Sequence, residues 1–231
     1  SMQETTSLLL EGTPGALTES QERLLRLNLQ CGERLSAMIG DLLEVARLEA
    51  GSVDFELEAD DLAVVARQAL DEAEGSIAAR RLTVDARLVP TPVLADRDLV
   101  LRLLWNLVSN AVKFSPEGGT VIVRVGRYDN AADLDAAYFR RPGEVPPPVA
   151  VCEVEDAGPG IPDDAKSLVF DRFHRDDAKR RGVQGTGLGL SIAHAVATGH
   201  GGELWVEDAV AAPTGSRFVL VLPLRRDPQT V

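Results

Sequence analysis

The stretch Asp156-Ala157-Gly158-Pro159-Gly160-Ile161, with Gly185-Thr186-Gly187-Leu188-Gly189-Leu190 after it and Asn106-Leu107-Val108-Ser109-Asn110-Ala111-Val112-Lys113-Phe114 before it, decides how this chain is read. At 100° per residue, Asn106, Asn110 and Lys113 share one arc of a helix, while Val100, Leu104, Leu107, Val108 and Ala111 fall opposite. One face is therefore buried, and the other aligns two amides and an ammonium. Most polar stripes are only solvated faces. A carboxamide oxygen, however, is a neutral hard ligand suited to a magnesium ion already on phosphates, and a lysine one turn on can meet the same phosphates.

Val149 to Glu155 is an apolar-rich run that reads as a buried strand, delivering Asp156 to the first glycine turn. A carboxylate there, before glycines that let backbone approach a ring closely, can accept a hydrogen bond from an exocyclic amine such as that of adenine. Asp before Gly also simply starts turns. The second cluster has G-x-G-x-G spacing, follows a polar stretch and opens the helical pattern Leu190, Ile192, Ala193, Val196, Ala197. A dinucleotide fingerprint requires G-x-G-x-x-G directly after a strand, so that fold is disfavoured, and the phosphate-loop pattern ending in Gly-Lys is absent. What remains is a glycine-rich helix entry whose free amides can hold phosphate oxygens.

These segments resemble the ATP-binding domain of sensor histidine kinases, within the wider group that includes gyrase-type ATPases. The resemblance covers roughly residues 17 to 224: an asparagine box at 106–115, glycine boxes at 156–161 and 185–190, a phenylalanine box Phe170-Asp171-Arg172-Phe173-His174-Arg175, and a closing strand from Gly215 and Ser216 to Pro223. It implies an α+β two-layer sandwich binding ATP and Mg²⁺. Asn110 is the implied Mg²⁺ ligand, Asn106 its support and Lys113 a phosphate contact, and these three form the catalytic set. Asp156 is the implied partner of the adenine amine, with Phe114 and Ile161 flanking the ring. Gly158, Gly160, Gly185, Thr186, Gly187, Leu188, Gly189, Leu190 and Ser216 complete the ATP-binding set. Residues between Gly160 and Gly185 correspond to the family's mobile lid, from which Arg172 or Arg175 can reach phosphates, while Phe170 and Phe173 serve mainly as packing anchors. Gyrase-type ATPases carry a glutamate base four residues before the metal asparagine. Asn106 stands there instead, and an amide takes no proton from water at neutral pH, which favours transfer to a protein nucleophile over hydrolysis.

Residues 18–50 carry the longest helical signal. Thr18 or Ser20 can cap it, and Leu24, Asn28, Cys31, Leu35, Met38, Leu42 and Val45 form a stripe widened by Leu25, Ile39, Leu43 and Ala46, which calls for a helical bundle. This segment is similar to the second helix of the kinase dimerisation domain, with residues 3–10 as the tail of the first helix and Gly12 to Leu17 as the turn. The resemblance implies a homodimer through residues 18–50 and a response-regulator partner. The expected domains are 1–51, a partial helical hairpin, 52–226, the ATP-binding domain, and 227–231, a tail. The H-[DE]-x-x-[NR]-P acceptor segment is not found. His174, His194 and His200 all lie elsewhere and read as structural, with no metal-ligand spacing. Ser1-Met2 looks like a cloning remnant, so the acceptor segment is expected upstream of Ser1, with a natural chain without an acceptor as the other reading, and the chain by itself is expected not to phosphorylate itself.

The 231 residues are 45% apolar with a formal charge of −12, which disfavours nucleic acid and anionic lipid as partners. No apolar run is of membrane-spanning length, direct membrane contact of this fragment is not expected while a membrane anchor on the full-length protein stays open, and Cys31 and Cys152 read as small core residues of a cytoplasmic, reducing compartment. Strands are expected at 52–57, 82–88, 92–95, 120–126, 149–155, 203–207 and 217–224, and helices at 62–79, 96–114 and 190–199, as one sheet with helices on a single face. Tyr128 to Pro148 reads as a Pro-rich insertion, and Trp105 and Trp205 as packing residues. Two other readings stay open: a degenerate kinase acting as a nucleotide-binding scaffold, and a serine kinase of the anti-sigma type, against which the helix at 18–50 argues.

Overall fold

Two helices open the chain: α1 at Met2–Leu10 and α2 at Glu19–Glu49. A computed structural model describes residues 2–13, 15–49, 54–129, 148–174 and 186–224, which divide into two units, Ser1–Ala46 and Arg47–Val231. In the first unit Thr18 caps α2 reciprocally: its Oγ1 accepts the Gln21 N–H at 3.3 Å, and Gln21 Oε1 accepts the Thr18 N–H at 2.9 Å. Thr6 Oγ1 donates to Asn28 Oδ1 at 3.3 Å, tying α1 to α2. The apolar stripe is largely solvent-facing, with Leu24, Leu35, Ile39 and Leu43 all more than half exposed. Cys31 is exposed as well, contrary to its reading as a core residue, because the stripe it belongs to is not covered within this chain.

The second unit holds β1 (Glu58–Asp61), α3 (Leu62–Ala79), β2 (Thr83–Leu88), β3 (Pro92–Ala95), α4 (Arg97–Phe114), β4 (Thr120–Tyr128), β5 (Val149–Glu155), α5 (Gly189–Gly199), β6 (Glu203–Asp208) and β7 (Ser216–Pro223). Five strands form one sheet in the order β2-β4-β5-β7-β6, with β2 and β4 parallel and the other pairs antiparallel. Helices α3, α4 and α5 pack against it. The register sets Val123, Val154 and Phe218 side by side, and period-two alternation places Val121, Val125, Cys152 and Leu220 on that same, helix-covered face. Asp61 caps α3 by accepting the Ala63 N–H, and Asp96 caps α4 by accepting the Leu99 N–H.

Two features differ from the expected architecture. The strand expected at 52–57 is not formed at 54–57, and residues 52 and 53 lie outside the described residues. The strand begins instead at Glu58 and pairs antiparallel with β3 in a separate two-stranded sheet, because the partner edge of Pro92–Ala95 runs opposite Glu58–Asp61 and not opposite the apolar residues before them. The other difference is the far face of the main sheet, which is itself buried. Val149, Val151, Trp205, Val219 and Val221 cluster there with Tyr128. Beside them Arg217, only 2% exposed, pairs with Glu207 and Glu153, while Arg124 faces Glu153 and Glu155. All seven residues of β5 are buried, two glutamates included. Burial raises the Glu153 pKa, and the charges of Arg217 and Arg124 pull it back. Trp205 packs as expected, its Nε1 donating to Glu207. Trp105 does not: it is 42% exposed on the outer side of α4, since its place falls off the buried arc of that helix. Among the described residues no helix is long and apolar enough to cross a membrane. The insertion expected at 128–148 lies outside the described residues from 130 to 147, and so does the tail from 225 onward.

Candidate functional site

Helix α4 buries Val100, Leu103, Leu104, Leu107, Val108, Ala111 and Val112 and leaves Asn106, Ser109, Asn110 and Lys113 half-buried on the remaining face, as the 3.6-residue period requires. Among the described residues neither the Asn106 nor the Asn110 amide is engaged by another side chain. The second glycine cluster meets this helix directly. A Cβ on Gly189 would stand 2.6 Å from Asn106 Oδ1, so any larger residue would push the asparagine amide aside, and the start of α5 lies directly against it.

Asp156 directly follows β5 and is 4% exposed. Its Oδ1 accepts the Gly158 N–H at 2.7 Å and the Ser216 N–H at 3.3 Å, and its own N–H goes to the Ser216 carbonyl at 2.9 Å. Both side-chain bonds fall on Oδ1, so among the described residues Oδ2 remains for an incoming donor. Burial pushes this carboxyl up to about 6; the two backbone N–H groups oppose that, and the charge of Glu155 adds to it. Gly158 passes close to the Phe114 carbonyl, where a Cβ would come within 3.0 Å. Gly215 has a left-handed φ of +146°, and a Cβ there would overlap the Asp156 carbonyl. In the sequence Gly215 marks only the start of the closing strand, through the Gly-Ser pair that opens β7; the fold makes it a support of Asp156 as well. Glu155 adds a second unforeseen support, its Oε1 accepting the Val210 and Ala211 N–H groups and holding the turn before β7.

Thr186 Oγ1 accepts the Leu188 N–H at 3.2 Å, and α5 then begins without a side-chain cap at Leu188. The first-turn N–H groups at Gly189, Leu190 and Ser191 are thus an anion-ready helix end. Gly187, at φ +76°, sends its carbonyl to the Phe173 N–H at 2.9 Å. The structure therefore gathers Asn106, Phe114, Asp156, Gly158, Gly189 and Ser216, with Gly160 near Gly215 and Ile161 following half-buried. Asn110 lies one turn along α4 from Asn106; Thr186, Gly187 and Leu188 lead into α5, and Leu190 lies in its first turn. Two further expected residues line cavities apart from these. Lys113 lines a cavity of about 250 Å³ with Arg80, Trp105 and Ser109, its Nζ 5.3 Å from the Phe114 ring centre. Arg172 lines a separate cavity of about 1010 Å³ with Phe170, Ser191 and His194, on the other flank of α5. Arg175 and Gly185 lie outside the described residues. Phe170 packs against His194 and Phe218, whereas Phe173 does not pack as expected: its ring is 55% exposed and its backbone adopts φ +61° to reach Gly187.

A mixed sheet layered on helices, with an amide-bearing helix facing two glycine turns and a buried aspartate, defines an ATP-binding fold of the kinase and gyrase type. Residues 95–226 match the family model described as histidine kinase-, DNA gyrase B- and HSP90-like ATPase, and the chain belongs to that family, in its sensor histidine kinase branch. Residues 1–51 match the His Kinase A (phospho-acceptor) domain. That match corrects the expectation of a hairpin without its acceptor segment: the region is recognised as the phospho-acceptor domain, although the histidines of the sequence remain His174, His194 and His200.

Among curated relatives, the signal transduction histidine-protein kinase/phosphatase MprB of Mycobacterium sp. (strain KMS) is 36% identical over 94% of this chain and 39% of its own length. The MprB of Mycobacterium tuberculosis (strain ATCC 25618 / H37Rv) is 34% identical over 96% of this chain and 40% of its own. The chain thus spans about two fifths of the curated relatives it matches. Of solved structures, the mycobacterial sensor histidine kinase MprB is 31% identical, with a TM-score of 0.58 over 74% of this chain and 99% of that one. Full-length ShkA in complex with AMPPNP, 24% identical, shares the fold with a TM-score of 0.70 over 97% of this chain and 46% of its own.

Proposed function

We propose that this chain is the ATP-binding and phospho-acceptor region of a protein-histidine kinase, holding Mg-ATP between α4 and the two glycine turns. Asp156 Oδ2 accepts the adenine amine, and Phe114 and Ile161 flank the ring. Gly158 and Gly160 let the backbone approach the ring, and the uncapped start of α5, with Gly185, Thr186, Gly187, Leu188, Gly189 and Leu190, takes the phosphates. Asn110 ligates Mg²⁺, supported by Asn106, and the resemblance adds Lys113, Arg172 and Arg175 as phosphate contacts, although Lys113 and Arg172 line cavities apart from the gathered residues. The metal supplies charge compensation on the transferring phosphoryl group. The acceptor imidazole nitrogen bonds to the γ-phosphorus as the bond to the β-phosphate oxygen breaks. No residue among 1–51 is a histidine, and the proposed acceptor is a histidine that this sequence does not contain, His174, His194 and His200 being read as structural.

The observation that carries this reading is the buried Asp156 carboxylate, with Oδ1 held by Gly158 and Ser216 and Oδ2 uncommitted. The amide at Asn106, in place of a general base, favours transfer over hydrolysis. Domain limits of 1–51, 52–226 and 227–231 are proposed with it. The exposed leucines of α2 support a homodimer through residues 18–50, and the phospho-acceptor match supports a response regulator as partner. That match also weakens the serine-kinase reading. Titration calorimetry with AMPPNP, with and without magnesium, tests the pocket: absence of magnesium-dependent uptake overturns it. Incubation with γ-labelled ATP, alone and with an added histidine-bearing phospho-acceptor domain, separates kinase from scaffold. Acid-labile label on the added domain supports the kinase, and its absence supports the scaffold.

A further inference from the structure

Away from the nucleotide pocket, a cluster of contacts gathers where α4 begins and α5 ends. His200 follows α5; its Nδ1 donates to the Val196 carbonyl at 2.8 Å, and its Nε2 accepts the Asp96 N–H at 3.0 Å. Those two bonds fix one neutral tautomer. The Asp96 carboxylate is divided: Oδ1 caps α4 through the Leu99 N–H, and Oδ2 accepts the Glu56 N–H at 3.2 Å. The preceding ring, Phe55, stands edge-on to His200, with centroids 4.9 Å apart and planes at 80°. Gly199 makes room for it, since a Cβ at that position would overlap the Phe55 ring. Burial favours the neutral imidazole, lowering its pKa against the opposing pull of the Val196 carbonyl and the Asp96 charge.

These four residues tie three parts of the second unit together: the chain entering it at 54–57, the helix carrying Asn106 and Asn110, and the helix that opens at Gly189. A nucleotide held between α4 and the start of α5 sets the spacing of the two helices at one end. The His200–Asp96 contact sets it at the other, with Phe55 and Glu56 resting on the junction. We propose that Phe55, Asp96, Gly199 and His200 form a latch that docks residues 54–57 on the catalytic unit and couples that docking to nucleotide binding, with His200 as its positioning residue. The coupling rests on the nucleotide reading above; the latch itself does not. Linkage makes the coupling reciprocal: the factor by which nucleotide favours the docked segment is the factor by which docking favours nucleotide.

Amide hydrogen exchange at Glu56, in the full chain with and without Mg-AMPPNP, reads both. In the native chain the Glu56 amide is expected to be protected and to slow at least threefold further with Mg-AMPPNP. Phe55→Ala removes the ring, and Gly199→Ala displaces it while adding a residue that otherwise favours a helix. Both variants are expected to speed Glu56 exchange at least tenfold and to weaken Mg-AMPPNP by the factor seen as added protection in the native chain. A Glu56 amide equally fast in native and variant chains overturns the latch. Faster exchange with unchanged nucleotide affinity overturns the coupling. Failure of the native chain to bind Mg-AMPPNP overturns the nucleotide reading and the coupling together, while the exchange of the apo chains still decides the latch.

Discussion

Replacing Asp156 with Asn should make this protein more stable and a poorer nucleotide binder. The carboxyl sits at about 6 in the fold against an ordinary 3.8, chiefly because burial penalises its charge. For an acid whose folded value is raised, the folded state holds the proton more tightly. Stability is therefore full below 3.8, falls as pH rises toward 6, and stays reduced above it. At 1.36 kcal/mol per pH unit the ionised group costs the fold roughly 3 kcal/mol at neutral pH. Asn keeps an Oδ1 acceptor for the Gly158 and Ser216 N–H groups and has no charge to bury. At pH 8 the variant should melt higher by up to roughly 6–12 °C, the response of a 150–250-residue domain to that energy. Near pH 4, where the native group is protonated in the fold, the difference should vanish. The amide nitrogen would then face the adenine amine, donor against donor. Loss of a hydrogen bond to a charged acceptor, worth about 1.5–3 kcal/mol, weakens AMPPNP by roughly 10- to 150-fold. Calorimetric melts at the two pH values and titration calorimetry at pH 8 measure both effects. A variant that melts lower than native at pH 8, or that binds AMPPNP with native affinity, refutes the reasoning.

The same titration predicts that AMPPNP affinity of the native chain declines as pH falls through about 6, where Asp156 gains its proton; a flat profile between pH 5 and 8, by titration calorimetry, contradicts it. Asn110→Ala should remove the magnesium-dependent part of nucleotide affinity while leaving the melting temperature within a few degrees, since the amide has no partner among the described residues. Gly215→Ala should unfold at distinctly lower denaturant, because its Cβ would overlap the Asp156 carbonyl at a φ of +146°. Arg217→Ala strands Glu207 without its buried cation and leaves Glu153 only Arg124, and should cost about 3–5 kcal/mol in urea unfolding, whereas a surface pair such as Arg26–Glu22 should cost under about 1 kcal/mol.

Much of the pocket was legible because its signals are local. The 3.6-residue period of 97–114 separates Asn106 and Asn110 from the leucines without reference to any other element. The position of Asp156 follows from an apolar strand running into a glycine turn. The exposure of Phe173 was not legible, since it turns on a backbone bond to Gly187 across the lid region. The exposure of Cys31 depends on what covers α2, which heptad spacing leaves open.

The amino-acid order by itself determined the helix that presents the amides, the glycine turns and the aspartate between them, because each is a matter of short-range geometry. Tertiary structure alone decided which backbone groups grip that aspartate, that two glutamates and an arginine are buried behind it, and that Phe55 rests on His200. The Ser216, Arg217–Glu153 and Phe55–His200 contacts depend on strand register and helix packing between residues sixty or more positions apart, and the pairing of β5 with β7 is set by the whole sheet and not by either strand.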